Sequence, residues 1–383
     1  TNIIIHIKTM SDLKDCEIAS DVTQVTEVEP TLDQRPPCWH RRRFEIITFS
    51  SVIITLISLC VVIPIVLVKS NRVQNISNIE YGSFWFPLGD KLLASEGDAE
   101  FAESLDLSGD GVFLAIGSQN VDSARGRVEV RKYTGTDWKQ TGNIIEGAFR
   151  GVSFGNNVQL SQDGKILIAS GTGSDKFPGE YKGHIRSYQL DERTQQWVQF
   201  GSDIEGLGAG DRFGVSLSMA SDGKSFIVGS DNFFVNKQRN GYARVYEFIN
   251  GDWKQKGLTF LGMNGSRTAY GTAMSGDGNT ICVGEIWWKD SQGLQQGRAR
   301  CFKWSNDNWV PKGEDITGEV GGRMGYSLSL SYDGNRVAVG NRPSGQSAQG
   351  SVTVFQMKGN SWSIMGMEQV SSEAGDQGGF KVA

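Results

Sequence analysis

Phe213-Gly-Val-Ser-Leu-Ser-Met-Ala-Ser-Asp-Gly-Lys-Ser-Phe-Ile-Val-Gly229 is the stretch on which the reading of this chain turns. It begins Phe-Gly and continues with apolar residues at alternate positions, as a strand with one buried face does. Asp222-Gly223 then supplies the positive-φ residues of a tight hairpin turn. A short apolar run, Phe226–Val228, follows and ends at Gly229. Read alone, this is a β-hairpin whose second strand is apolar on both faces.

The same pattern recurs along the chain. Asp-Gly stands at Asp110, Asp163, Asp222, Asp277 and Asp333, each before an apolar run. About ten residues later a glycine opens a further strand, as in Gly126-Arg-Val-Glu-Val and Gly241-Tyr-Ala-Arg-Val-Tyr. A short turn such as Asn250-Gly251-Asp252 leads to the signature Trp-x-x-x-Gly. Its tryptophans, at 85, 138, 197, 253, 309 and 362, are 53, 59, 56, 56 and 53 residues apart. Four strands in each unit of about 55 residues is the size of a β-propeller blade. The expected fold is therefore all-β, a β-propeller of four-stranded blades over 85–383. It has five complete units plus partial ones: Trp85 has no preceding strands of its own blade, and Phe380-Lys-Val-Ala383 begins another. A ring of six or seven blades in the full-length protein, truncated here at its C-terminus, follows from that count.

Taken together, these signatures resemble the FG-GAP-type repeats, related to the integrin α-subunit propeller and found in microbial and algal surface proteins. The resemblance spans about residues 85 to 383 and implies an extracellular propeller used for recognition or adhesion. One departure matters. Integrin-type repeats carry a calcium loop, Asp-x-Asp-x-Asp-Gly, in the first hairpin. Here the hairpin is shorter, as in Ser-Gln-Asp163-Gly and Gly-Asp277-Gly. One or two carboxylates cannot supply the six to eight oxygens calcium takes. No metal site and no cofactor is carried over, and the aspartates read as turn formers.

Ile46–Val68 is 23 residues without a charge. As a helix it would span roughly 34 Å, enough for a bilayer core of about 30 Å. It is too long and too far from the start for a signal-peptide core. The expected organisation is a cytoplasmic disordered tail over 1–43, a transmembrane signal anchor over 44–68 and a stalk over 69–84. Arg35, Arg41, Arg42 and Arg43 precede the span, against Lys69 and Arg72 after it. The positive-inside rule then puts the N-terminus in the cytoplasm and the repeats outside, with the plasma membrane as the expected location. With 43 acidic and 38 basic side chains the chain carries a net charge of -5, which argues against nucleic acid as a partner.

Chemistry-bearing motifs are scarce. No nucleophile elbow, phosphate loop or Cys-x-x-Cys occurs. His184 is the only histidine after residue 70 and stands at a variable strand position. The expectation is a non-enzyme. The alternative, a membrane-anchored lumenal carbohydrate-active propeller, would need carboxylates at the ring mouth, with Glu146, Glu205 and Glu319 as the nearest to hand. Ligand-binding candidates are the aromatics in the loops between second and third strands: Phe177, Tyr181, Phe233, Phe234, Trp287 and Trp288. Exposed, they would be anchors for a protein or glycan ligand; folded down, they would pack on neighbouring loops. Asn264-Gly-Ser266 and Asn75-Ile-Ser77 are glycosylation acceptors. Cys282 and Cys301 lie on adjacent strands. With Gly284 opposite Gly297 they would be a diagonal pair, leaving both a disulfide and two buried thiols open.

Overall fold

A computed structural model describes residues 51–53, 67–69, 87–94, 101–173, 182–342, 349–373 and 378–383. The chain divides into two units, and the repeats belong to the one that contains Pro87–Ala383.

Five antiparallel sheets follow one another in this unit. Blade 1 is Ser104–Leu107, Phe113–Ser118, Arg127–Tyr133 and Trp138–Gln140. Blade 2 is Phe154–Leu160, Ile166–Gly171, His184–Asp191 and Gln196–Glu205. Blade 3 is Ser216–Met219, Ser225–Ser230, Tyr242–Ile249 and Asp252–Gln255. Blade 4 is Thr268–Met274, Thr280–Glu285, Arg298–Ser305 and Asn308–Pro311. Blade 5 is Met324–Leu330, Arg336–Asn341, Ser351–Lys358 and Ser361–Ile364. Within each, consecutive strands pair in order, with Leu217↔Val228, Ile227↔Val245 and Phe248↔Trp253 fixing the register in blade 3.

The hairpin between first and second strands is built differently from the expected two-residue turn. Of Asp222-Gly223 and its counterparts, only the glycine has positive φ, from 62° at Gly334 to 71° at Gly111 and Gly223. Gly111 N–H donates to Ser108 C=O at 2.8 Å. That makes a four-residue turn ending in a left-handed glycine, the longer hairpin with a bulge. The serine two residues before the aspartate locks it. Ser161 Oγ donates to Asp163 Oδ1 at 2.6 Å and accepts from Ile166 N–H at 2.9 Å. The aspartates thus spend their oxygens within the turn. Neighbouring turns are also tied together: Gln162 N–H donates to Ser221 C=O and Ser221 N–H to Gly276 C=O, both near 2.9 Å.

The core lies between blades rather than inside any one of them. Blades 1 and 2 share Val128, Val130, Phe154, Leu167 and Tyr188, and blades 3 and 4 share Ile227, Val245, Ile281 and Phe302. The second strands of blades 1, 3 and 4 are buried along their whole length, as expected of sheets sandwiched on both faces. Each tryptophan of the fourth strand reaches back to the blade before it. Trp309 Nε1 donates to Lys256 C=O at 3.0 Å and Trp362 Nε1 to Lys312 C=O at 2.9 Å. Trp138 Nε1 donates to Leu88 C=O at 2.8 Å, so the segment around Leu88 stands where the fourth strand of a preceding blade would. At the other end, Gly379 C=O accepts from Ser327 Oγ at 2.9 Å, as Gly155 C=O does from Ser104 and Ala269 C=O from Ser216. Gly378–Ala383 therefore occupies the place of a first strand after blade 5.

Most of the span expected over 44–68 lies outside the described residues. Ser51–Ile53 and Leu67–Lys69 are short strands paired antiparallel, Ser51 opposite Lys69. Among the described residues no helix is long and apolar enough to cross a membrane. The tail over 1–43 and the stalk over 69–84 lie outside the described residues, apart from Lys69. One expectation is corrected, that of register. Gly284 is opposite Ala299, not Gly297, so Cys282 faces Cys301 directly and the two form a disulfide with Cα atoms 4.1 Å apart.

Candidate functional site

First strands of all five blades, with Phe380–Ala383, line one cavity of 610 Å³. Its wall is mostly small and polar, with Asn157, Gln159, Ser218, Thr272 and Ser329 facing in. At the end where second and third strands are joined by loops, the wall becomes aromatic. The residue after the Phe-Gly glycine, or its equivalent, is Glu103 in blade 1 and Asn156, Val215, Tyr270, Tyr326 and Phe380 in the units that follow. The last three meet. Tyr270 and Tyr326 have ring centroids 4.5 Å apart and hydroxyls 2.8 Å apart, and Phe380 lies 5.6 Å beyond Tyr326.

Guanidinium groups cover this arc. Arg342, just after the second strand of blade 5, lies 5.1 Å over Tyr326 and 5.5 Å over Phe380, and its Nη1 donates to the Tyr326 hydroxyl at 2.7 Å. Arg267 lies 5.3 Å over Tyr270 and 5.2 Å over Trp287. A fully buried carboxylate, Asp231, holds Arg267 in an ion pair and has Arg212 at 3.6 Å. Arg212 and Arg267 hold equivalent places before the first strands of blades 3 and 4, both at positive φ (58° and 49°). Burial, followed by the bond to Tyr326, pushes the Tyr270 hydroxyl up to about 12, so it stays protonated at neutral pH. Two neutral hydroxyls, aromatic faces and a guanidinium converging on one cavity can bind a polar ring-shaped molecule.

A second feature sits in the wall. Asp106 Oδ2 accepts from Leu160 N–H, and burial pushes this carboxyl up to about 7 against the pull of its backbone bonds and of Lys381. His184 is not part of the cavity wall. It is half-buried against Phe154, 6.0 Å between centroids, and burial pushes its imidazole down to about 4.

The loop aromatics divide. Phe233 packs edge-on against Tyr242 at 5.2 Å, and Trp288 is half-buried beneath Arg298. Phe234 and Trp287 stay exposed, at 53% and 39%. They approach the arc: Trp287 stacks on Arg267, and the Phe234 hairpin touches the same loop through Arg267 N–H to Arg239 C=O at 3.2 Å. Phe177, Tyr181 and Asn75 lie outside the described residues. Asn264 is exposed at φ 54°, but the Ser266 of its sequon is buried and bonded to Met263 N–H and Thr268. Glu146 and Glu205 are exposed and paired with Arg125 and Lys182 of their own blades. The Tyr270–Tyr326–Phe380 arc forms no motif within any one unit; its signal in the sequence is the repeat position that follows the Phe-Gly glycine.

Comparison with family models and with curated proteins finds no match to this chain. The FG-GAP assignment is therefore not shown, whereas the propeller is. Similar solved structures are propellers. The periplasmic gluconolactonase of Pseudomonas aeruginosa is 13% identical over 75% of this chain and 76% of that one, with a TM-score of 0.48. A putative 6-phosphogluconolactonase from Bacteroides uniformis is 12% identical over 76% and 89%, TM-score 0.43. The β-propeller domain of the Trilobed protease from Pyrococcus furiosus is 12% identical over 69% and 70%, TM-score 0.41. The expectation of a non-enzyme is corrected here: proteins named as lactonases stand among the similar structures.

Proposed function

We propose that this chain is a recognition propeller, held at a membrane by the apolar stretch 44–68 and displayed outside the cell, that takes a glycan at the mouth of its central cavity. The observation that carries the reading is the Tyr270–Tyr326–Phe380 arc under Arg267 and Arg342. Sugars present apolar ring faces and hydroxyl edges, which aromatic faces and neutral hydroxyl donors match. A buried disulfide, Cys282–Cys301, supports an oxidising compartment. The Asp-Gly turns and the six-unit spacing are in keeping with an FG-GAP-type ring of six blades. The test is a glycan array probed with the full chain, with Tyr270→Phe and Phe380→Ala alongside. Binding that both variants weaken supports the reading. Binding that neither changes, or no binding at all, removes the mouth as its site. For topology, protease protection of 85–383 in sealed vesicles is the expected result, and cleavage from the cytoplasmic face would overturn it.

A second reading, a propeller enzyme acting on carbohydrate, is favoured by Asp106. A carboxyl held near neutrality in a cavity wall beside Lys381 is suited to general acid–base work. Glycoside turnover by the full chain that Asp106→Asn abolishes, with saccharide binding retained, would establish it.

A further inference from the structure

We infer that the mouth of the cavity selects a carboxylate-bearing sugar, its carboxylate on Arg342 and its ring against Phe380; this rests on the reading of the mouth as a glycan site.

The charges at the mouth are not balanced evenly. Arg212 and Arg267 share Asp231, and that carboxylate is fully buried behind them. Arg342 differs. Among the described residues its polar partner is the neutral Tyr326 hydroxyl, and its remaining contacts are the faces of Tyr326 and Phe380. A guanidinium has five N–H donors and among the described residues one is used, which leaves an edge for two parallel bonds to a carboxylate. Glu103 and Asp106, acids that line the same cavity, belong to blade 1 and both attract Lys381.

Shape adds to charge. Arg342 lies over both rings and is tied to the Tyr326 hydroxyl, which restricts it before any ligand arrives and lowers the entropy lost on binding. Phe380 is 53% exposed beside it and offers a free apolar face one residue's width from the charge. Tyr270 and Tyr326 present neutral hydroxyls on the other side. A ring with a carboxylate at one edge and hydroxyls around it, a hexuronic acid, matches all three. An inorganic anion would use the guanidinium and leave Phe380 idle.

Calorimetric titration of the full chain in detergent tests this with three probes: digalacturonate, its dimethyl ester, and the neutral galactose disaccharide. The acid is expected to bind about tenfold tighter than either neutral probe. Arg342→Gln should abolish that preference while leaving the thermal midpoint in place, and Arg342→Lys should retain only part of it. Equal binding of all three probes overturns the inference and keeps the glycan site. An acid preference that survives in Arg342→Gln also overturns it. Failure of every probe to bind removes the glycan reading together with the inference.

Discussion

Gly142 and Trp197 fit so closely that a Cβ on the glycine would stand 2.7 Å from indole Cδ1. The contact crosses from blade 1 to blade 2 and repeats. Gly201 meets Trp253 and Gly257 meets Trp309 at 2.7 Å; Gly313 meets Trp362 at 2.9 Å and Gly89 meets Trp138 at 3.0 Å. The Trp-x-x-x-Gly signature is thus a chain of interlocks, in which the tryptophan of one unit sits on the glycine of the unit before. Gly366 carries the same φ, 79°, but nothing stands within 4 Å of its missing Cβ. Gly257→Ala should therefore destabilise by about 2–4 kcal/mol, combining left-handed strain of about 1–2 with displacement of the indole. Gly366→Ala should lose only the strain. Urea midpoints of the two variants check the difference, and equal losses would remove the interlock.

The serine of the hairpin turn carries a separate expectation. Ser275 is fully buried; its Oγ donates to Asp277 and accepts from Thr280 N–H at 2.9 Å. Ser275→Ala strands a buried N–H and should lose about 1–3 kcal/mol. Blade 3 has alanine at the same position, Ala220, where Asp222 keeps only the bond from Lys224 N–H at 2.9 Å. Thermal denaturation of Ser275→Ala and of Ser161→Ala should show similar losses.

Acid should weaken the fold through His184. Its folded value, about 4, lies below the ordinary 6.5, because burial and then Arg186 disfavour the charged ring, while Asp203 and Glu205 oppose them. The neutral ring is thus favoured in the fold. Its contribution is whole above 6.5 and is lost as the pH falls toward 4. Asp106 acts in the opposite sense. Its folded value of about 7 lies above 3.8, so its contribution is whole below 3.8 and is lost as the pH rises through 7. Melting curves from pH 4 to 8 should flatten on the acid side in His184→Gln and on the neutral side in Asp106→Asn. A profile unchanged in both would show that neither group titrates differently on folding.

Reduction should lower stability measurably. Cys282 and Cys301 are 19 residues apart in sequence and lie in the core between blades 4 and 5. Opening a loop of that length is expected to lose about 3 kcal/mol. A fall in the urea midpoint on adding dithiothreitol, absent in Cys282→Ala/Cys301→Ala, is the check.

Repetition made the fold legible without coordinates. Five Asp-Gly hairpins, each followed by an apolar run and a Trp-x-x-x-Gly strand, name their own local structure, because turn chemistry and strand alternation act between residues close in sequence. Register between strands joined by a ten-residue loop was not legible, and Cys282 proved to face Cys301 because pairing starts one residue after Gly297, at Arg298 opposite Glu285. The mouth of the cavity lay furthest from reach. Tyr270, Tyr326 and Phe380 are more than fifty residues apart and occupy a position where other units have Asn156 and Val215. Only the convergence of first strands on a common axis brings their rings within 6 Å of one another and sets Arg342 upon them. Sequence by itself determined the blade; tertiary structure decided the site, because a propeller's site is made by no single blade.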